Sequence, residues 1–461
     1  MKRILTTLLL SLMLCAPAWA QEEELVYIQH KVRWLETIYS IARKYKVDAK
    51  ELVILNDLPN GEIKRGQILL IPDRSGRKPA SSYTQEPDKP EQKAEEPEEP
   101  TVSPCLTYVP SRDSVHTLSL VLPLSNDRNA TSFLEFYQGA LLAVQDAKQL
   151  GMSAVVQCFD WNAYASPELL VADSKFSRSD VVIGPVFAAQ LNVLLKLLEG
   201  THTLVVSPLD AQSESLATTN PHFFQVRPTY DAQQDAMLQL LRPSEASIWL
   251  LSETGEETLT NDYKALLDTN GISYQTYSYD VLHGREVASH LKTQFSTDRP
   301  NQVIIASNNE AFVSDAIRNL HLLSAYSNIP VELFGLSKWR SFETLDLEAL
   351  HQLQIVFPVP LYIDYDNASC KQFVRTFRSL YFAEPSQYAF QGYDVTRYFL
   401  EALYRLGPQC EDCIETLSLS LLQTDFRFRR QNEKGGFLNE GTRLVRYLPD
   451  YSVTSYSVQY P

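Results

Sequence analysis

The sequence lacks the short residue patterns that mark the common catalytic and nucleotide-binding sites. It contains no Gly-x-Ser-x-Gly elbow, no His-Glu-x-x-His motif, no P-loop and no Gly-x-Gly-x-x-Gly fingerprint. Its eight histidines show no metal-ligand spacing. We therefore expect no catalytic residues, no metal site and no cofactor, and we expect a binding protein in place of an enzyme.

The sequence also lacks an excess of positive charge and a second long apolar run. The formal net charge of -15 argues against nucleic acid as a partner, because phosphates are neutralised by clustered Lys and Arg. The single apolar run, Ile4 to Leu14, is shorter than the ~20 residues of a membrane span. Lys2 and Arg3 precede it and Ala18-Trp19-Ala20 follows it, which predicts a signal peptide over residues 1–20, cleaved after Ala20. We expect an exported protein of the periplasm or cell envelope.

Cysteine is scarce, and its odd count after cleavage limits the disulfides. Lipid anchoring at Cys15 is disfavoured, because the bulky Leu14 precedes it. In an oxidising compartment the five remaining cysteines allow at most two disulfides, and their pairing stays open. These cysteines are Cys105, Cys158, Cys370, Cys410 and Cys413.

A stretch with almost no apolar residues, from Asp73 to Ser103, divides the chain. Within it residues 86–100, EPDKPEQKAEEPEEP, hold seven acidic residues, two lysines and four prolines. Proline favours extended backbone and like charges repel, so we predict a disordered, semi-rigid linker over 73–103. Fully extended, its ~30 residues span up to ~100 Å.

Residues 26–72, in front of this linker, predict a strand, two short helices and a second strand. The strand VYIQHKV alternates, with Ile28 and His30 on one side. A helix from Thr37 to Tyr45 follows, and a second helix turns Leu52 and Leu55 inward before GQILLIP returns as a strand. The apolar face of the first helix consists of Ile38, Ile41, Ala42 and Tyr45.

This small unit resembles the LysM peptidoglycan-binding module. The resemblance rests on Glu36-Thr37-Ile38, Ser40-Ile41-Ala42, Leu55-Asn56 and Gly66-Gln67, with Ile71-Pro72 at the end. It implies that a glycan of N-acetylated aminosugars lies between the loop after the first strand and the loop before the last. One departure is Leu35, where the family usually has Gly, and its side chain could narrow the groove. The implied glycan-binding residues are Arg33, Trp34, Glu36, Thr37, Ile38, Asn56, Leu58, Pro59 and Asn60.

The large remainder alternates strand and helix patterns, which is typical of a mostly parallel α/β sheet. TLSLVLPLS at 117–125 predicts a buried strand, and a helical pattern follows that ends at Gly151. Further apolar strands recur in at least seven segments, which are too many for one small sheet. A barrel of eight repeats would account for their number, but the helical stretch from Tyr362 to Tyr404 fits a bilobal arrangement better.

Four short segments make this remainder similar to the type I periplasmic binding proteins, in the branch of the leucine receptors. They are FYQGA at 136–140, VVIGP at 181–185, VVSP at 205–208 and QGYD at 391–394. The resemblance covers about 114–461 and implies two Rossmann-like lobes that close on a ligand. We place lobe 1 at about 114–228 and 355–425 and lobe 2 at about 240–350, and we leave the final strands, Arg443 to Tyr460, unallocated.

In such sheets ligands bind beyond the carboxyl ends of the strands. Free amides at helix starts after Gly184 and Ser207 could hold a carboxylate, and Trp161 could stack on a ligand. Against an amino acid stands Ser207-Pro208-Leu209-Asp210, because proline lacks an amide and Asp210 would repel an anion. The candidate solute-cleft residues are Ser125, Asn126, Trp161, Gly184, Pro185, Val186, Phe187, Ser207, Pro208, Ser252, Asn308, Asn309 and Glu310.

These features predict a non-enzymatic envelope protein that binds peptidoglycan at its front. Its large domain would sense a small solute or muropeptide, or regulate a wall-synthesis protein. The alternatives are a receptor that delivers an amino acid or another small solute to an ABC-type permease and, less favoured, a cell-wall hydrolase.

Overall fold

The computed structural model describes residues 27–32, 38–45, 47, 52–53, 55–56, 58, 67–72, 104–210 and 212–458. The chain separates into two compact units, residues 1–97 and residues 98–461. The predicted signal peptide, with Cys15, and the predicted linker over 73–103 lie outside the described residues.

In the small unit two strands pair antiparallel and enclose a short helix in sequence. Strand β1 (Tyr27–Lys31) pairs with β2 (Ile68–Pro72), so that His30 lies opposite Leu69. Helix α1 (Ile38–Tyr45) lies between them in sequence, as the apolar periodicity predicted. Residues 52, 53 and 55 are also helical, which agrees with the predicted second helix.

Eight buried side chains form the core of this unit. The spacing that predicted an inward face of α1 is confirmed at Ile41 and Ala42, and Tyr45 packs at the edge of the core. Ile28, predicted on the same side as His30, is 37% exposed, because it lies toward the open end of the strand pair. The core residues are Val32, Ile41, Ala42, Val47, Leu52, Leu58, Leu69 and Ile71.

The large unit contains two seven-stranded sheets, which confirms the bilobal expectation over a barrel. The sheet of lobe 1 has the order β13-β14-β7-β6-β5-β3-β4, and its strands are parallel except for β13, the antiparallel edge strand. These strands are β3 (Val115–Leu122), β4 (Ser153–Asp160), β5 (Val181–Ile183), β6 (Leu204–Ser207), β7 (Phe223–Gln225), β13 (Phe428–Arg430) and β14 (Phe437–Asn439).

The sheet of lobe 2 has the order β16-β15-β12-β11-β10-β8-β9. Its last two strands in the chain, β15 and β16, are antiparallel and receive the segment that the sequence left unallocated. The strands are β8 (Ser247–Glu253), β9 (Gln275–Tyr279), β10 (Asn301–Ala306), β11 (Val331–Phe334), β12 (Val356–Val359), β15 (Arg443–Tyr447) and β16 (Val453–Ser457).

Helices cover the faces of both sheets, because each parallel connection needs a crossover. Those of lobe 1 bury Phe133, Leu191 and Phe399, and those of lobe 2 bury Met237, Phe312 and Ala349. The helices in chain order are α2 (Pro104–Thr107), α3 (Ala130–Gln149), α4 (Pro167–Val171), α5 (Ala188–Leu197), α6 (Tyr230–Leu238), α7 (Thr258–Thr269), α8 (Gly284–Gln294), α9 (Glu310–Ser327), α10 (Leu347–Gln352), α11 (Ala368–Tyr381) and α12 (Gln387–Leu406).

The chain passes between the two sheets three times, after β7, after β12 and after β14. The second passage follows Val359, later than the 355 expected from sequence, and lobe 1 extends past 425 to Asn439. The buried segment VFPV of β12 carries no sequence signal that assigns it to one sheet rather than the other.

Two glycines bring α3 and α12 into backbone contact. A Cβ atom at Gly139 would lie 1.8 Å from the carbonyl oxygen of Ala389, and one at Gly392 would lie 1.9 Å from that of Phe136. The FYQGA and QGYD segments therefore owe their glycines to the same close helix crossing. The Tyr393 hydroxyl reinforces the crossing by donating to Asp146, 2.7 Å away.

Arg443, at the start of β15, holds the passages between the lobes together. Its guanidinium donates to the carbonyl oxygens of Tyr362, Leu421, Leu422 and Thr424, and also to the carboxylate of Asp425, at 2.8–3.3 Å. Its side chain is 11% exposed. One planar group thus joins the second and third passages.

A disulfide joins Cys105 to Cys413 within the large unit. It resolves the pairing that the sequence left open, and it excludes a bond within the Cys410–Cys413 pair. Cys158, Cys370 and Cys410 are free thiols, and burial raises the pKa of Cys158 and of Cys370 to about 11.

In the described part of the chain, none of the helices has the length and apolar character that crossing a bilayer requires.

Replacing Gly139 by Ala should destabilise the large unit by about 1–3 kcal/mol, because the added methyl group must push α3 away from α12. Chemical denaturation of the mature chain measures this loss. Thr131→Ala, an exposed position on the same helix, should change the free energy of unfolding by less than about 0.5 kcal/mol. Equal effects of the two substitutions would contradict the role given to the glycine.

Replacing Arg443 by Lys should cost about 1–3 kcal/mol of unfolding free energy, since an ammonium cannot reach five acceptors in one plane. Arg429→Lys removes an exposed partner of Glu440 and should cost less than about 1 kcal/mol. If Arg443→Lys unfolds at the wild-type denaturant concentration, the guanidinium does not stabilise the passages.

Candidate functional site

The largest candidate site is a cavity of about 570 Å³ at the carboxyl ends of the lobe 1 strands. Its described lining comes from lobe 1 and from the passages between the lobes, and none of it comes from residues 230–359. The lining residues are Asn129, Phe133, Val186, Phe187, Pro208, Leu209, Asp210, Gln212, Val226, Arg227, Pro228, Pro360, Leu361, Gln387, Tyr388, Gln391, Gln423 and Thr424.

The start of α5 faces this cavity, but its first amide is already occupied. Ala188 N donates to Asp210 Oδ2 at 2.6 Å, and Gln212 N donates to Asp210 Oδ1 at 2.7 Å. The expectation of a free amide after Gly184 is therefore wrong for Ala188. The same carboxylate that the sequence identified as repelling an anion occupies the anion's place.

Gly184 and Pro185 are buried behind the cavity wall, and only Val186 and Phe187 of that segment line it. Gly184 has φ +103, and a Cβ atom there would lie 2.1 Å from the Val121 carbonyl oxygen. Only glycine fits this position. The glycine of the VVIGP segment is thus required by backbone packing.

Ser207 does not reach the cavity, because its side chain is fully buried. Its hydroxyl lies 3.0 Å from the Ser213 hydroxyl, which in turn lies 2.9 Å from Gln225 Oε1. The helical turn that follows is a 3-10 helix beginning only at Glu214, so the predicted helix start after Ser207 is wrong. Ser207 shapes the loop that carries Asp210.

Buried glutamines form the floor of the cavity. Gln423 Nε2 donates to Gln391 Oε1 at 2.8 Å, and Gln391 Nε2 donates to the Pro208 carbonyl at 3.2 Å. Asp394 fixes the floor from behind by accepting the backbone N–H groups of 422–424 at 2.8–3.0 Å. Gln423 Oε1 is buried and has no hydrogen-bond partner in the described structure.

The rim of the cavity carries polar groups that are not engaged. The side chains of Asn129, Gln212, Gln387 and Arg227 are exposed and make no hydrogen bond or ion pair with the described residues. Sequence reasoning missed these four, because exposed amides in loops carry no distinctive pattern. Gln391 alone of the floor stood in a segment singled out from sequence.

Trp161 and Asn126 line a separate pocket of about 490 Å³ at the ends of β3 and β4. The loop is held by Asp160, which accepts from Leu124 N and Asn162 N at 3.0 and 3.1 Å. Burial alone would raise the pKa of Asp160, but hydrogen bonds from Ser125, Asn162 and Leu124 outweigh it and lower the pKa. Trp161, Asn126 and Ser125 thus do not share the main cavity.

The lobe 2 candidates have structural partners of their own. The Ser252 hydroxyl lies 2.5 Å from that of Ser278, and Asn309 Oδ1 accepts from Ala311 N at 3.1 Å to cap α9. Glu310 accepts from Glu343 N and Thr344 N at 2.7 Å, and these bonds, led by that of Thr344, lower its pKa. Only Asn308 is exposed without a described partner. The expectation that these residues complete a two-sided cleft is corrected, since caps and turns use the same residue types.

In the small unit three of the nine glycan-binding candidates are described. Ile38 is the first residue of α1, and Asn56 Nδ2 donates to the carbonyls of Leu52 and Leu70 at 3.0 and 2.9 Å. Leu58 is 6% exposed, so its side chain belongs to the core and cannot cover a sugar face as expected. Outside the described residues lie Arg33, Trp34, Glu36, Thr37, Pro59 and Asn60, together with Leu35.

Where the chain is described, no cluster of three or more His, Cys, Asp or Glu side chains could hold a metal ion.

Solved structures share the fold of the large unit. A protein described as a branched-chain amino acid ABC transporter from Rhodospirillum rubrum has a TM-score of 0.53 at 14% identity, covering 74% of this chain and 100% of that one. A substrate-binding protein from Desulfitobacterium hafniense in complex with Leu scores 0.42 at 14% identity, with coverages of 74% and 100%. Full-length LpoA from Haemophilus influenzae scores 0.45 at 13% identity, with coverages of 75% and 60%. Among curated proteins no sequence matches.

Two family models match the sequence. The model of the LysM domain matches residues 30–72, where the strand pair and α1 lie. The model of the periplasmic binding protein matches residues 175–418, more than half of the chain. The chain therefore carries a LysM domain and belongs to the periplasmic binding protein family.

Proposed function

We propose that the protein is a non-enzymatic component of the cell envelope. It binds peptidoglycan through its LysM domain, and its large domain senses a wall-derived ligand or regulates a wall-synthesis enzyme. Both domain types indicate an extracellular or envelope location. Export through a signal peptide over 1–20 and a tether over 73–103 are parts of this proposal.

The one-sided cavity is the observation that carries the sensing or docking role. A receptor that encloses a solute needs polar groups on both lobes, yet Ser252, Asn309 and Glu310 of lobe 2 are engaged within their own lobe. A ligand on the cavity floor would keep one side open. That geometry suits a fragment of a larger molecule or a segment of a partner protein.

The alternative is a substrate-binding receptor of an ABC-type transporter. It is favoured by the fold shared with the Rhodospirillum rubrum protein, which is described as a transporter of branched-chain amino acids. Against an amino acid as solute stands Asp210, which occupies the amide of Ala188.

A hydrolase has less support, because both matched domains are of binding type. Glycoside hydrolysis also uses two carboxyl groups that converge on one bond. The described lining of the cavity contains one carboxylate, Asp210.

The complete mature chain should co-sediment with purified peptidoglycan sacculi, and deletion of residues 26–72 should leave it in the supernatant. Trp34→Ala should lower the bound fraction about two- to tenfold if its ring covers a sugar face. Ile68→Ala, at a 60% exposed side chain on β2, is the matched control and should bind normally. A folded full-length chain that stays in the supernatant would refute anchoring.

Sacculi incubated with the protein should release no soluble muropeptides above the buffer level, as measured by chromatography of the supernatant. Lysozyme serves as the positive control for the assay. Time-dependent release by the purified chain would replace the binding role with the hydrolase.

A further inference from the structure

We propose that the lobe 1 cavity binds an uncharged ligand carrying a secondary amide, and that Asp210 excludes ligands with a free carboxylate. This inference rests on the sensing role proposed above and names the ligand class of that site. N-acetylated sugars and peptides both contain this group.

The first step concerns the start of α5. The N-terminus of a helix attracts anions, because its amides are unpaired and the helix dipole is positive there. Here Asp210 lies 2.6 Å from Ala188 N and supplies the negative charge from within the chain. An incoming carboxylate would have to displace Asp210 or lie beside a like charge.

The second step concerns the floor. Gln423 is fully buried, both of the acceptors of its Nε2 group are defined, and its Oε1 has no described partner. Asp394 fixes the backbone on both sides of Gln423, so the side chain cannot easily turn away. A buried acceptor without a donor is unfavourable, and an amide N–H of a ligand would satisfy it.

The third step concerns the rim. Asn129, Gln212 and Gln387 each present a primary amide, which offers one acceptor and two donors. These groups complement the C=O and N–H of a ligand amide, while Phe187 and Tyr388 supply aromatic surface for its alkyl part.

Charge and size agree with a neutral ligand. The described lining contains one carboxylate, Asp210, and one guanidinium, Arg227, so it carries no net charge. The cavity volume of about 570 Å³ falls in the range of roughly 300–1,000 Å³ of small-ligand sites.

Calorimetric titration of the complete mature chain tests the proposal with three probes. N-acetylglucosamine and N-acetyl-L-alaninamide carry the secondary amide on a sugar and on a blocked amino acid, and L-leucine carries a free carboxylate. Wild-type protein should bind one of the first two at least tenfold more tightly than leucine, and the stronger one identifies the source. Absence of binding by both N-acyl probes, or preference for leucine, would overturn the proposal.

Asp210→Ala should raise the affinity for leucine at least tenfold, because the amide of Ala188 becomes free, and should leave the N-acyl probe within about threefold. The matched control is Asp346→Ala, which removes a carboxylate cap from α10 in lobe 2 and should not change the preference. An equal gain in leucine affinity in both variants, or none in Asp210→Ala, would contradict the role of Asp210. Gln387→Ala, at an exposed rim position, should weaken the N-acyl probe severalfold.

Sacculus co-sedimentation of Asp210→Ala separates the two proposals. It should equal that of the wild type whether or not the selectivity changes, because the LysM domain is intact. Loss of the expected selectivity with normal sedimentation overturns the ligand class alone.

Discussion

The contact between the backbones of α3 and α12 is the constraint on which the binding face of lobe 1 depends. Gly139 and Gly392 each face a carbonyl of the other helix, so neither helix can shift without losing the close crossing. Helix α12 carries Gln391 and Asp394 from this crossing toward the passages between the lobes. Asp394 then positions residues 422–424 and, with them, the glutamine floor of the cavity.

Arg443 extends the same order to the second lobe. Its guanidinium draws the carbonyls of 421–424 and of Tyr362 around one group, close to the residues that Asp394 fixes from the other side. The cavity floor and the junction of the lobes are therefore built from one segment. A ligand that moves Gln423 would act on the junction through covalently adjacent residues.

The architecture could be predicted from sequence, because buried strands and helix faces repeat with fixed periods, as Leu118, Leu120 and Leu122 of β3 show. The cavity could be predicted only in part. Asp210 was identified as hostile to an anion, but Glu310 and Asn309 were misassigned, since a cap and a ligand contact use the same polar residues after a strand. Gln423 was missed because it reaches the site by a passage between lobes, which no local pattern encodes.

The disulfide between Cys105 and Cys413 has a mechanical consequence. If the front module is held on the wall, any pull along the chain enters the large unit at its first helix. The covalent bond diverts that load at Cys105 into the turn at Cys413, and β3 is relieved of it. The sheet that supports the cavity would thus keep its shape while the anchor is under tension.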